Sequence, residues 1–438
     1  MLETLLLPIE IAARELDGKL LLGLMAAERG MRVRLGRRQD IDSPVQPRGI
    51  YLAKNVRGGF VLDKPEALGH SIVALDEEGL VRFEDPVQNM RIEQRSLKLP
   101  RLLFAWGPDN ADYWRRLAVC DDGKIIEAGN PRGDLLRPEL RDYYSSAVQS
   151  IQSRFGQFVL INTNFSMVNH FWRGHTSFRK AAGADPQTFS TVWAGLRQHK
   201  LSLFHGFQDL IGPLATAIHP AKLVIRPHPS EDPEPWQRLA ERHDNVSVVS
   251  EGGVVPWLMA ASCLVQNGCT TSVEAALVGT PSIAFRPVRS DIFDLALPNS
   301  VARQAGTVAD VIDAARAALY AGDTGDRAHV DRLLDRHLSS IRGDFACERI
   351  LDSIWENRAA LAQPRDTGIK TKFKAGVRMV VDTIADWSVE RRYNSHVYPP
   401  IDPVAVQRKV LRFTSLLRRF GSVQTTVLPS GVVELSAT

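Results

Sequence analysis

Short apolar runs alternate along most of the chain with stretches whose apolar residues recur every three or four positions. The first run is Leu5-Leu-Leu-Pro-Ile9. From Arg14 to Arg29, the residues Leu16, Leu20, Leu21, Leu24 and Met25 keep a helical period, which Gly30 ends. Further strand-like runs are Met31 to Leu35, Gly49 to Leu52, Ser71 to Leu75, Arg101 to Trp106 and Lys124 to Glu127, with a helix around Ala111 to Leu117. The turn Gly129-Asn-Pro-Arg132 closes this series.

A second series follows. Gln157 to Ile161 is a strand ending in Asn162-Thr-Asn164, and Leu223 to Ile225 is a strand ending in Arg226-Pro-His-Pro229. Val246 to Val249, Cys263 to Gln266 and Pro281 to Phe285 complete the strands, with helices near Val255 to Ala261 and Val273 to Val278. Long helical patterns then run from Val308 to Tyr320 and from Arg327 to Leu361. Alternating strands and helices build parallel sheets. The expectation is an α/β chain of two Rossmann-like domains facing a cleft: residues 1–150 first, residues 151–345 second, and crossing helices with a basic tail over residues 346–438.

At 438 residues the chain suits two cores rather than one. Its 44% hydrophobic and 24% charged residues are an ordinary globular balance. A net charge of +4 gives no concentrated basic face, so nucleic acid is not an expected partner. The charge is uneven, because Pro364 to Thr438 holds twelve Lys/Arg and six Asp/Glu. Within that tail, Gln407 to Phe420 has Val410, Phe413, Leu416, Leu417 and Phe420 near one helical face and basic residues around the rest. Such a helix packs on the body of the protein or lies on an anionic inner membrane as a peripheral contact. Cys120, Cys263, Cys269 and Cys347 form neither a CxxC pair nor a zinc pattern, so reduced thiols in a cytoplasmic protein are expected. The first ten residues lack the marks of a signal peptide, and no apolar run is long enough to span a bilayer.

Ligands of open parallel sheets bind beyond the carboxyl ends of the strands, so the polar loops there carry the candidate chemistry. Arg226, His228 and Pro229 form a stiff loop suited to a phosphate. Asn267, Gly268, Thr270, Thr271 and Ser272 lead into a new helix whose free N–H groups favour an anion, while Glu274 is placed to accept from ribose hydroxyls. Asn162 and Asn164 open the second half as candidate substrate contacts, with Arg14 as a third. In the first half, Glu77 and Glu78 follow a strand, and Glu15 and Asp17 sit at the start of the first helix. Carboxylates at these places serve as general base or nucleophile.

Taken in order, Arg14-Glu-Leu-Asp17, Leu75-Asp-Glu-Glu-Gly79, Gly129-Asn-Pro-Arg132 with Asp134, Asn162-Thr-Asn-Phe165, Arg226-Pro-His-Pro229 and Asn267 to Glu274 resemble the bacterial surface carbohydrate biosynthesis family, a GT-B-like group. The acidic-acidic-Gly, His-Pro and Ser/Thr motifs also resemble those of GT-B transferases that use CMP-sialic acid or CMP-Kdo. The resemblance implies a glycosyltransferase whose acidic motif supplies the catalytic carboxylate and whose His-Pro and Ser/Thr motifs hold CMP. It further implies a nucleotide-sugar donor, a glycan or lipid-linked glycan acceptor, and no metal or other cofactor. A sugar-nucleotide 2-epimerase, a polyol-phosphate transferase and a non-catalytic sugar-nucleotide-binding scaffold are the alternatives.

Overall fold

A computed structural model describes residues 4–56, 60–84, 87, 92, 94–117, 121–172, 186–322, 326–363 and 398–438. Cys120 and the tail segments Lys370 to Lys374 and Val377 to Ile384 lie outside the described residues. In chain order the described strands are β1 (Thr4–Ile9), β2 (Arg32–Arg37), β3 (Ile50–Ala53), β4 (Ser71–Leu75), β5 (Leu103–Phe104), β6 (Ile125–Ile126), β7 (Phe158–Asn162), β8 (Lys222–Arg226), β9 (Val246–Val248), β10 (Cys263–Gln266), β11 (Ser282–Phe285), β12 (Arg303–Ala305), β13 (Val423–Val427) and β14 (Val433–Ala437). The helices that matter here are α1 (Ala12–Glu28), α2 (Ser145–Phe155), α3 (Pro186–Ile218), α4 (Val255–Ala260), α5 (Thr271–Val278), α6 (Val308–Arg316), α7 (Arg327–His337), α8 (Ala346–Glu356), α9 (Arg358–Ala362) and α10 (Pro403–Leu417).

The chain divides into two compact units. The first comprises Met1–Gly79, Ile92–Tyr143 and Asp335–Thr438; the second comprises Leu80–Arg91 and Tyr144–Leu334. The crossing helices and the tail are thus part of the first unit.

The first unit is built on one sheet in the order β13-β14-β2-β1-β3-β4-β5-β6. Strands β1 to β6 are mutually parallel, and β14 joins β2 antiparallel. The order reverses between β1 and β3: the chain goes one way to β2 and then the other way out to β6. Helix α1 is apolar nearly all round, with Leu20, Leu21, Leu22, Leu24 and Met25 fully buried. It can be so because it is covered on several sides, by β1, β2, β14, α8 and α10.

The second unit has a wholly parallel sheet in the order β12-β11-β10-β7-β8-β9, which reverses between β7 and β10. One face packs on α3 and α6 through Phe165, Phe207, Leu210, Leu214, Trp236 and Phe285. The other packs on α2, α4 and α5 through Phe155, Phe158, Trp257 and Leu264.

Three elements depart from the sequence expectation. Helix α3 spans 33 residues where no helix is expected. The helical pattern expected from Arg327 to Leu361 is divided among three helices, α7, α8 and α9. Ser340 (φ 64) and Gly343 (φ 74) take left-handed backbone that no helix continues through. The buried carboxylate of Asp134 then accepts the Ala346 and Cys347 N–H groups at 2.8 and 2.9 Å, starting α8 afresh. Burial pushes the Asp134 carboxyl up to about 6 against those two donors. Finally, β13 and β14 form a hairpin that the sequence reading did not assign.

The tail helix α10 spends its apolar stripe on the fold. Val406, Val410 and Phe413 are buried, and the Phe413 ring stacks on Tyr143 at 4.4 Å. Lys409 Nζ meets Asp17 at 2.6 Å, Arg412 donates to the Tyr143 carbonyl at 3.0 Å, and Arg419 bridges Glu28 (2.6 Å) and Glu348 (2.8 Å). Of the two readings of this stripe, these contacts show the one in which it packs on the body of the protein. Among the described residues, no helix is long and apolar enough to cross a membrane.

Phe413→Ala removes a fully buried ring from this docking surface. It is expected to cost about 3–5 kcal/mol, read as a lower urea midpoint with an unchanged slope.

Candidate functional site

In each unit the candidate residues gather at the carboxyl ends of the strands flanking the reversal of strand order. That is where an open parallel sheet leaves a crevice.

In the first unit, β1 runs into Glu10, β3 into Lys54, and β4 into Asp76-Glu77-Glu78. Glu15, in the first turn of α1, is 1% exposed. Its carboxylate accepts the Glu10 and Ile11 N–H groups at 3.3 Å each, supplying the helix start with acceptors. It also meets Lys19 and Lys54 at 2.9 Å each. Burial alone would raise its pKa, but the two lysine charges outweigh burial and hold the carboxyl far below the usual range. Lys54, raised in turn, also pairs with Glu10.

Glu77 is 5% exposed. Its Oε1 lies 3.7 Å from Lys19 Nζ, while its Oε2 accepts from Asn130 Nδ2 at 3.4 Å and lies 3.8 Å from the Arg132 guanidinium. Its backbone is held too: its N–H donates to the Lys54 carbonyl (2.9 Å), and its carbonyl accepts from Arg14 (3.0 Å). Glu78, one third exposed, lies 3.7 Å from Arg14. Lys19 thus stands between two buried carboxylates, Glu15 and Glu77.

Four of the sequence-predicted residues, Arg14, Glu15, Glu77 and Glu78, meet here. The fifth does not: Asp17 faces α10 and pairs with Lys409. Glu10, Lys19, Lys54, Asn130 and Arg132 were not among the candidates. Lys19 had a readable signal, since it lies four residues after Glu15 on one helix. Lys54 had none, because it arrives from a different strand.

In the second unit the organiser is Glu231, 3% exposed and also missed by the sequence reading. Its Oε1 accepts the Thr163 hydroxyl (2.8 Å), the Phe165 N–H (2.8 Å) and the His228 N–H (3.3 Å), and its Oε2 accepts Trp236 Nε1–H (3.2 Å). One side chain thereby ties the loop after β7 to the loop after β8. Burial raises its carboxyl, against four donors that favour the charged form. The Ser230 N–H donates to His228 Nδ1 at 3.1 Å, so the neutral ring carries its proton on Nε2. His228 is half-buried, Pro229 is exposed and Asn164 is half-buried.

Arg226 is committed to the scaffold. Its guanidinium donates to the Glu251 and Gly252 carbonyls at 2.7 and 3.0 Å and lies 4.9 Å over the Trp257 ring. Burial depresses it to about 10.

At the start of α5, Gln266 Oε1 accepts the Gly268 and Cys269 N–H groups at 2.6 and 2.8 Å. The Ser272 and Val273 N–H groups turn back on Cys269 and Thr270 carbonyls. That leaves the Thr270 and Thr271 amides at the open end of the helix. Gly268 takes φ 77, a turn natural to glycine. Asn162 Nδ2 reaches the Thr271 hydroxyl at 3.3 Å across the β7–β10 reversal. Ser272, fully buried, spends its hydroxyl on Ser282 (2.9 Å). Glu274 is 8% exposed, inside the first turn of the helix. Asn267 is 4% exposed, and neither its Oδ1 nor its Nδ2 has a partner. Native folds rarely leave two buried polar atoms of one side chain without partners.

The chain matches no protein-family model, and no curated protein is similar to it in sequence. Similar solved structures include a proposed UDP-N-acetylglucosamine 2-epimerase from Listeria monocytogenes, with 13% identity over 84% of this chain and 99% of that one, at a TM-score of 0.51. A UDP-GlcNAc 2-epimerase from Neisseria meningitidis shares 12% identity over 81% and 99%, at 0.49. A variant of the wall teichoic acid polymerase TagF shares 11% identity over 83% and 91%, at 0.48. At these identities the likeness is one of fold: the chain is a mixed α/β protein with two Rossmann-like units of the GT-B type.

Glu15→Gln leaves Lys19 and Lys54 short of a counter-charge and is expected to cost about 3–5 kcal/mol at neutral pH. The folded carboxyl lies below its ordinary 4.5. Its contribution is therefore complete above that value and drains away as pH falls through the folded one. The stability gap between wild type and variant, measured by chemical unfolding from about pH 7 down to about pH 2, should narrow on acidification.

Proposed function

We propose that the protein is a glycosyltransferase that moves a sugar from a nucleotide-activated donor to a glycan or lipid-linked glycan of a bacterial surface polysaccharide. One observation carries this reading. At the β7–β10 reversal, the open amides of Thr270 and Thr271 and the unpartnered Asn267 stand at the start of α5, and on the loop after the neighbouring β8 the His228 ring is held in one orientation. Hydrogen-bond donors at a helix start suit a phosphate, and a buried amide with a free donor and a free acceptor suits a base or a ribose.

The donor is a CMP-linked ulosonic acid such as CMP-Kdo; the order of the motifs along the chain supports this choice. Catalysis falls to the first unit. Glu15, held ionised by two lysines, is a poor proton acceptor and serves to position its neighbours. Glu78 and Glu77 are the bases, with Arg14 orienting the pair through the Glu77 carbonyl. A peripheral contact with the inner membrane would fall to the exposed Arg408, Leu411 and Arg418 of the tail, and liposome co-sedimentation with and without phosphatidylglycerol reads it.

A thermal-shift panel of CMP, CDP, UDP and GDP tests the reading, because a ligand that binds only the folded state raises the midpoint. CMP should give the largest shift, reduced by His228→Ala and by Thr271→Ala. Equal shifts with CMP and UDP would remove the CMP donor, and no shift with any nucleotide would remove the whole assignment. Glu77→Gln and Glu78→Gln should slow transfer by about 10²–10⁴-fold in whichever variant removes the base, with nucleotide binding intact. Product analysis without an acceptor separates a transferase, which stays silent, from an epimerase, which turns over.

A further inference from the structure

Helix α3 turns one face to the core of the second unit. Leu196, His199, Lys200, Leu203, Phe204 and Phe207 recur at three- and four-residue spacing and are all buried. Two members of this stripe are polar. His199 is accounted for, since its Nε2 meets Asp294 Oδ1 at 2.9 Å. Lys200, 9% exposed, has no hydrogen bond or ion pair among the described residues.

The height of Lys200 on the helix decides what it faces. Ile218, the last residue of α3, lies at the amino end of β8, where the Ala221 N–H meets its carbonyl. Lys200 is eighteen residues back along α3, roughly 27 Å at the helical rise. The five residues of β8 span only roughly 17 Å. The lysine therefore sits past the amino and middle levels of the sheet, toward the carboxyl strand ends, one turn further from Ile218 than the core residues Leu203 and Phe204. The groups that act on it electrostatically agree with this: Cys269, Asp294 and Glu231 lie on the loops after β10, β11 and β8.

Neither nearby carboxylate is available to it. Asp294 is taken by His199, by two guanidinium nitrogens of Arg286 and by the Ser290 N–H. Glu231 already holds four donors. The Lys200 side chain is nine-tenths buried, an ammonium held there without a counter-ion is costly, and burial accordingly lowers its pKa. An arriving anion would restore the counter-charge that the fold does not supply.

We infer that Lys200 is the cation that receives the phosphate of the nucleotide donor, beside the open amides of Thr270 and Thr271 and the unpartnered Asn267. The inference rests on the nucleotide reading of the second unit and adds to it the charge that the helix start lacks. When the sugar departs, the phosphate oxygen gains negative charge, and an ammonium already desolvated stabilises that charge without reorganisation.

The test is Lys200→Met, with CMP, CDP, UDP, cytidine and uridine as probes in calorimetry and thermal shift. Replacing a buried unpaired charge by an apolar side chain of similar length should leave the ligand-free midpoint unchanged or higher. Nucleotide affinity should fall at least about tenfold, while the nucleosides, which carry no phosphate, bind the variant as they bind wild type. Three outcomes would overturn the inference. Nucleotide affinity within about threefold of wild type removes Lys200 alone and leaves the nucleotide site standing. A sharp drop in the ligand-free midpoint with equal loss of nucleotide and nucleoside binding makes the lysine structural. Wild type binding none of the five probes removes the nucleotide reading and this inference with it.

Discussion

The ion pairs around Glu15 organise the first unit's carboxyl edge. A carboxylate that is 1% exposed survives only where cations and amides replace the water it has lost. Lys19 reaches it from one turn further along α1 and Lys54 from the end of β3. Lys19 then lies 3.7 Å from Glu77, at the end of β4, whose carboxylate also draws in Asn130 and Arg132. Three strand ends and a helix start are thereby tied into one alternating set of charges. Removing a member takes a charge partner from at least one buried neighbour, so the edge is coupled across its strands.

The second unit solves the same problem with neutral donors. Glu231 is satisfied by a hydroxyl, two backbone N–H groups and an indole. The loops after β7 and β8 close on it, and the orientation of His228 follows from that closure. Gln266 does comparable work for the turn into α5, holding two amides so that the next two stay open. Within this scaffold the exceptions stand out. Arg226 and Ser272 look like ligand groups but are spent internally. Asn267 and Lys200 look like interior residues but are left without partners.

The tail shows how one pattern carries two meanings. An amphipathic basic helix is as suitable for a lipid surface as for a protein groove. What decides between them is the partner, and α1 supplies it: Asp17 and Glu28 lie where Lys409 and Arg419 arrive, and Tyr143 lies under Phe413. The hairpin β13–β14 then extends the sheet beyond β2, with Glu434 pairing Arg34 at 2.6 Å.

The sequence by itself determined the alternation of strands and helices, the parallel strands of both sheets, and the polar loops at their carboxyl ends. These follow from local periodicity and from Gly, Pro and hydroxyl residues at strand ends, where each residue's neighbours in sequence are also its neighbours in space. The 33-residue α3 and the terminal hairpin escaped that reading: the helix begins beside a stretch without a clear period, and the hairpin's strands are short and half polar. Tertiary structure alone decided which polar residues serve the fold and which are left without partners. Arg226 was legible as an arginine after a strand, but not as the partner of the Glu251 and Gly252 carbonyls, which lie 25 and 26 residues away. Glu231 was one acidic residue among many until Thr163 and Phe165 arrived from another strand. The physical reason is the same in each case. A polar group's role is set by whether its hydrogen bonds are already made, and in a parallel sheet the groups that make them come from strands far apart in the chain.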